Sequence, residues 1–319
     1  MTEENRVILP GDSAGLYDQD WKKTFDLTFL AGWAVALLIL FTTTRSLQPA
    51  LLSDGPFFLF GLTKLAIMML MSFAGGLLCR HFCRIDEKGY IITNKDSAFK
   101  INYTRKLQHF AAYLVPLISV SASPGSKMHP FGALPHLWES LLVLLAFLLL
   151  IKPIRENSKI FMLQFNSLDR PEDRPNTLKW IVLGNILPGL VLCVIFKQLF
   201  EQILEPNLVF IIIFIVGIGD GLAEPVGIYL GKKKYLAPSW GLDRRYVRSY
   251  AGSACVYISG LIFTAMFFTD FNSISQFVVA MAILPVIMTL AEATAPHSMD
   301  TPLMMIIGFS VLYAICLFN

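Results

Sequence analysis

The 319-residue chain is 55% hydrophobic and only 15% charged, with a mean hydropathy of +0.59, a balance far from that of a soluble globular domain. A net charge of +3 gives no reason to expect a nucleic-acid partner. What remains is an all-α fold class, a polytopic helical protein surrounded by membrane lipids.

Residues 1–24 carry mixed charges and read as a short cytosolic tail, and 25–319 read as one membrane-embedded domain. Apolar runs able to cross ~30 Å of hydrocarbon fall near 25–43, 56–79, 108–123, 131–151, 179–199, 206–222, 249–269, 274–295 and 301–319, which predicts nine spans. The tail and the 80–106, 152–179 and 232–248 connections together hold 22 of the 26 basic residues. Basic residues mark cytosolic connections, so the N-terminus is expected inside and the C-terminus outside. Residues 152–179, with Glu156, Asp169, Glu172, Asp173, Pro171 and Pro175, read as a solvated linker. Lys64 and Asn185, within spans, suit snorkelling or interhelical hydrogen bonds. Cys79, Cys83, Cys193, Cys255 and Cys316 lack metal-ligand spacing and read as reduced thiols.

Three polar clusters fall on the expected cytosolic side. The first is Arg105-Lys106-Leu107-Gln108-His109, at the entrance to the third span. The second begins at Gly219-Asp220-Gly221-Leu222-Ala223-Glu224-Pro225 and runs through Gly227, Gly231 and Lys232-Lys233-Lys234 to Arg248, Ser249 and Gly252. Asp220 and Glu224 stand four apart, sharing one helical face at a spacing suited to a hydrated Mg²⁺ between protein and phosphate. Gly227 and Gly231 clear that face of side chains, and Pro225 with the glycines predicts a break near the end of the sixth span. Arg248, Ser249 and Gly252 open the next span, where amides, a hydroxyl and a cation can receive an anion. The third cluster runs from Glu292 to Asp300, Thr301 and Pro302. Glu292 lies within or just below an apolar run, a costly position for a carboxylate without a partner or a role, and Asp300 can cap the final helix.

Gly227-x-x-x-Gly231-Lys232 is one residue short of a P-loop and lacks its Ser/Thr, and no protein-kinase signature is present. Asp220, Ala223, Gly227 and Gly231 match the spacing Asp-x-x-Ala-x-x-x-Gly-x-x-x-Gly, and Arg248, Ser249 and Gly252 follow after a basic stretch. In these motifs the chain resembles the CTP-dependent polyprenol kinase family, which includes dolichol kinase and phytol kinase. Arg105-Lys106-Leu107-Gln108-His109 is similar to the Arg-Lys-Leu-x-His stretch of phytol kinases, and Glu292 with Asp300 resembles the family's closing acidic segment. Val247, Ala251 and Thr301 stand where that family usually has lysine, glutamate and asparagine.

The resemblance implies transfer of the γ-phosphoryl group of CTP to the hydroxyl of an isoprenoid alcohol at the cytosolic face of a bacterial inner membrane or the endoplasmic reticulum. Asp220, with Glu224 or Asp300, would then hold Mg²⁺. Arg105, Lys106, Ala223, Gly227, Gly231, Lys232, Arg248, Ser249 and Gly252 would form the CTP site, and His109, Glu292 or Asp300 would orient the alcohol or take its proton. The nearest rival is a phosphatidate cytidylyltransferase making a CDP-lipid. Another is a transporter of lipid phosphates or anions, for which broken helices and intramembrane charge also serve.

Overall fold

A computed structural model describes residues 7–8, 23–94, 102–115, 133–170, 173–203, 205–237, 245–296 and 299–317. The chain divides into two compact units, one within 13–182, the other within 183–319 together with the N-terminal strand β1 (Val7–Ile8). Six helices are long and apolar enough to cross a membrane: Lys23–Leu47, Gly55–Phe82, Thr177–Gln202, Val209–Leu230, Ile274–Thr294 and Asp300–Leu317. Two shorter apolar helices are Ala133–Leu148 and Tyr250–Met266. The described residues thus hold six helices of spanning length where nine spans were expected. Those two helices stop short of the ~20 residues a perpendicular crossing needs. The expected third span begins on a polar helix and continues outside the described residues.

The first unit opens with α1 (Lys23–Leu47), a short turn α2 (Pro49–Leu52) and α3 (Gly55–Phe82), whose first turn is capped by Asp54 accepting from the Phe57 amide at 3.0 Å. A hairpin of β2 (Cys83–Ile85) and β3 (Ile91–Asn94) follows, then α4 (Asn102–Leu114), α5 (Ala133–Leu148), α6 (Lys152–Asn157), α7 (Lys159–Asn166) and α8 (Thr177–Lys179). Leu38, Leu59, Leu62 and Leu70 project from α1 and α3 with more than half their surface open, as lipid-facing side chains should. Gly76 lets α7 press onto α3, because a Cβ there would collide with the Leu163 carbonyl. On the same helix, Ser72 donates to Gln108 of α4 at 2.7 Å.

Residues 152–179 are not a solvated linker. Arg155, Asp169 and Asp173 are each 1% exposed. Arg155 stacks on Phe165 at 3.9 Å and donates to the Tyr90 hydroxyl, which donates in turn to Glu156 at 2.9 Å. Arg174 pairs with Asp169 and donates to the Ile91 carbonyl at 2.7 Å. Burial would lower the Arg174 guanidinium, but the Asp169 carboxylate outweighs it and holds the group above its ordinary value. Composition suggested water because the segment is rich in charge; the charges have each other and the hairpin as partners instead. Lys64 does not snorkel: its Nζ meets Glu139 of α5 at 2.7 Å. All five cysteines are free.

The second unit contains α9 (Leu187–Gln202), α10 (Val209–Phe214), a π-helical stretch Ile215–Asp220, α11 (Gly221–Leu230), strands β4 (Lys234–Ala237) and β5 (Arg245–Ser249), then α12 (Tyr250–Met266), α13 (Ile274–Thr294) and α14 (Asp300–Leu317). The expected break in the sixth span is a widening instead. Helical backbone continues from Val209 to Leu230, with Pro225 inside α11 unable to donate to the preceding turn. A π-helical stretch keeps the chain wound and redirects its side chains, as such stretches often do near functional sites. β5 lies at the centre of a three-stranded sheet, antiparallel to β4 and parallel to β1. That pairing puts the N-terminal strand and the β4–β5 hairpin in one sheet.

Candidate functional site

β4 and β5 pair in a register that sets Tyr235 opposite Arg248 and Lys234 opposite Ser249. Directly opposite residues share a face of the sheet, so Tyr235 and Arg248 project together. Arg248 Nη1 donates to Oε1 of Glu292 at 3.0 Å, and Nη2 lies 3.5 Å from Oδ2 of Asp300. Glu292 sits on the last turns of α13, 4% exposed. Its second oxygen accepts from Ser253 Oγ of α12 at 2.9 Å, and that hydroxyl is 2.6 Å from the Tyr235 hydroxyl. Burial would lower the Arg248 guanidinium, yet the carboxylates of Glu292, Asp300 and Asp220 outweigh it and raise the group above its ordinary value. Three carboxylates singled out in the sequence, Asp220, Glu292 and Asp300, therefore act on Arg248 although they are spread over 80 positions.

Helix ends make this convergence possible. Ser249 caps α12, its Oγ accepting from the Gly252 amide at 3.1 Å. The same oxygen would lie 2.6 Å from a Cβ on Gly227. A Cβ on Gly231 would lie as close to Ser249, and one on Gly252 would lie 2.6 Å from the Ala223 carbonyl. The face cleared by Gly227 and Gly231 is thus taken by Ser249, and these glycines bring the start of α12 against α11. Asp300 opens α14 and accepts from the Thr301 amide at 2.9 Å. Lys232, just beyond α11, is exposed, and Glu224 is half-buried one turn after Asp220.

Comparison with protein-family models, with curated proteins and with solved structures returned no match. The geometry therefore stands on its own.

Among the described residues, no three His, Cys, Asp or Glu side chains gather as a metal cage. A Mg²⁺ that arrives with a nucleotide needs only one or two protein carboxylates, because phosphates and waters complete its octahedron. Asp220, 6% exposed at the end of the π-helical stretch, suits that limited role. Asp300 is already engaged by Arg248 and the Thr301 amide.

Arg105, Lys106 and His109 stand on α4 in the first unit. There Arg105 Nη1 meets Asp173 Oδ2 at 2.5 Å, and the His109 ring lies 4.8 Å from that of Tyr113. Sequence reasoning missed Tyr235 and Ser253. Tyr235 sits in a basic stretch that resembles a plain linker, and only the hairpin register aligns it with Arg248.

Proposed function

We propose that the second unit carries the nucleotide site of a CTP-dependent kinase of isoprenoid alcohols. The observation that carries this reading is the convergence of the Glu292 and Asp300 carboxylates on the partly buried Arg248, with the Asp220 charge acting on the same guanidinium. Phosphoryl transfer asks a protein mainly to position groups and neutralise charge. Arg248 and the exposed Lys232 supply cations for the phosphates. Asp220, with Glu224 one turn on, would hold Mg²⁺, which supplies further neutralisation of the phosphate chain. Of the candidates for receiving the alcohol, Glu292 is held by two side-chain donors, Arg248 and Ser253, and it accepts the hydroxyl's hydrogen bond. Arg105, Lys106 and His109 belong to the same reading through their motif. The alcohol's tail stays in lipid, and the site faces the cytosol, where CTP and Mg²⁺ are found.

The test is product analysis with purified protein, CTP, Mg²⁺ and either phytol, geranylgeraniol, farnesol or a longer polyprenol, beside phosphatidate as a separate substrate. A prenyl monophosphate and CDP are expected. Pyrophosphate release with phosphatidate would replace the kinase by a cytidylyltransferase, and no product from any of them would leave transport.

A further inference from the structure

Glu292 is reached from the hairpin by two routes: directly through Arg248, and through a hydroxyl pair, Tyr235 and Ser253. The second route has a direction. Ser253 Oγ carries one proton, and beside Arg248 the Glu292 carboxylate only accepts, so that proton goes to Oε2 at 2.9 Å. The 2.6 Å contact between the hydroxyls must then be donated by Tyr235. Burial, with the Glu292 charge, pushes the Tyr235 phenol up from its ordinary value, which keeps its proton in place at neutral pH. Ser253 is 8% exposed and Glu292 4%, so water does not readily replace Ser253 as the donor to Oε2.

We infer that Tyr235 and Ser253 are positioning residues that fix the plane of the Glu292 carboxylate for the acceptor hydroxyl, an assignment that rests on the kinase reading above. Arg248 holds Oε1 and Ser253 holds Oε2, so the carboxylate cannot turn about its last bond. Tyr235 locks the rotor of Ser253, which otherwise has other acceptors within its own helix. The remaining lone pairs of Glu292 are the ones left to meet a substrate. Because Tyr235 and Arg248 are cross-strand partners, any shift of the hairpin moves both donors together. Glu292 geometry is thereby tied to the strand that carries the phosphate-binding cation.

Two measurements on the full chain in nanodiscs test this. The first needs no substrate: a thermal-unfolding cycle of Tyr235→Phe and Glu292→Gln, run with Ser253 present and with Ser253→Ala. The two changes should be strongly non-additive with Ser253 and much less coupled without it; the same coupling in both backgrounds, or additivity in both, would overturn the chain of bonds. The second is steady-state transfer from CTP. Tyr235→Phe and Ser253→Ala should each lower kcat roughly tenfold or more, the scale on which misplaced groups act, with KM for CTP little changed. Ser253→Thr, which keeps the hydroxyl, should recover most of the rate. A loss confined to KM, or a Ser253→Thr variant as slow as Ser253→Ala, would overturn the positioning role. Wild-type protein that transfers nothing would instead sink the kinase reading, while the unfolding cycle would still decide the hydrogen bonds.

Discussion

Ser249 shows how one side chain can serve both a helix and a helix contact. It caps α12 through the Gly252 amide and fills the space bared by Gly227 and Gly231. Ser249→Ala should cost about 1 kcal/mol of stability, the usual worth of an N-cap, read as a fall in melting temperature. Gly227→Ala puts a methyl group 2.6 Å from Ser249 Oγ and should cost about 1–3 kcal/mol, as overpacking does. Combining the two changes should cost less than their sum, because alanine at 249 removes the oxygen in the way; a fully additive pair would deny the contact. Asp220→Asn should abolish transfer from CTP while leaving the melting temperature close to that of wild type. Near-normal turnover in that variant would remove Asp220 from the metal role.

At the scale of elements, six of the nine expected spans are helices of spanning length among the described residues, and the polar segments carry contacts that composition does not show. Long helices such as Gly55–Phe82 and Ile274–Thr294 were visible because an unbroken apolar run has few other uses. The 152–179 segment was misjudged because charge alone does not say whether its partner is water or another side chain. Asp169 and Arg174 are near in sequence, but Arg174 also closes against the β2–β3 hairpin, and Asp173 meets Arg105 of α4 from far along the chain, tertiary contacts that composition does not carry. Arg174→Ala would leave Asp169, whose side chain is fully buried, without its partner, and should cost about 3–5 kcal/mol, measured by thermal unfolding. A change within experimental error would mean that the pair is solvated after all. The sixth span teaches the converse lesson: Pro225 and its glycines predict a break, yet helical backbone runs on from Val209 to Leu230, with a π-helical stretch at Ile215–Asp220 and Pro225 inside α11.

For the whole molecule, spacing in the sequence located Asp220, Arg248, Glu292 and Asp300, but not their meeting. That depended on α12 and α13 returning to the level of the β4–β5 hairpin, and on a strand register that no motif encodes. The basic residues give the expected orientation, and β1 pairs with β5 beside the hairpin. In a cysteine-free background, Lys23→Cys and Lys233→Cys should react with an impermeant maleimide from the cytosolic side, and Asn272→Cys from the opposite side. Labelling of all three from one side would overturn the topology.

The central claim, that the cluster around Arg248 moves the terminal phosphate of CTP onto an alcohol, is met most directly by supplying CTP labelled at the γ position or at the α position to parallel reactions with geranylgeraniol or phytol. The account predicts label in the prenyl phosphate from γ-labelled CTP alone, and none with Arg248→Ala. Lipid labelled from the α position, or γ transfer undiminished in Arg248→Ala, would contradict it.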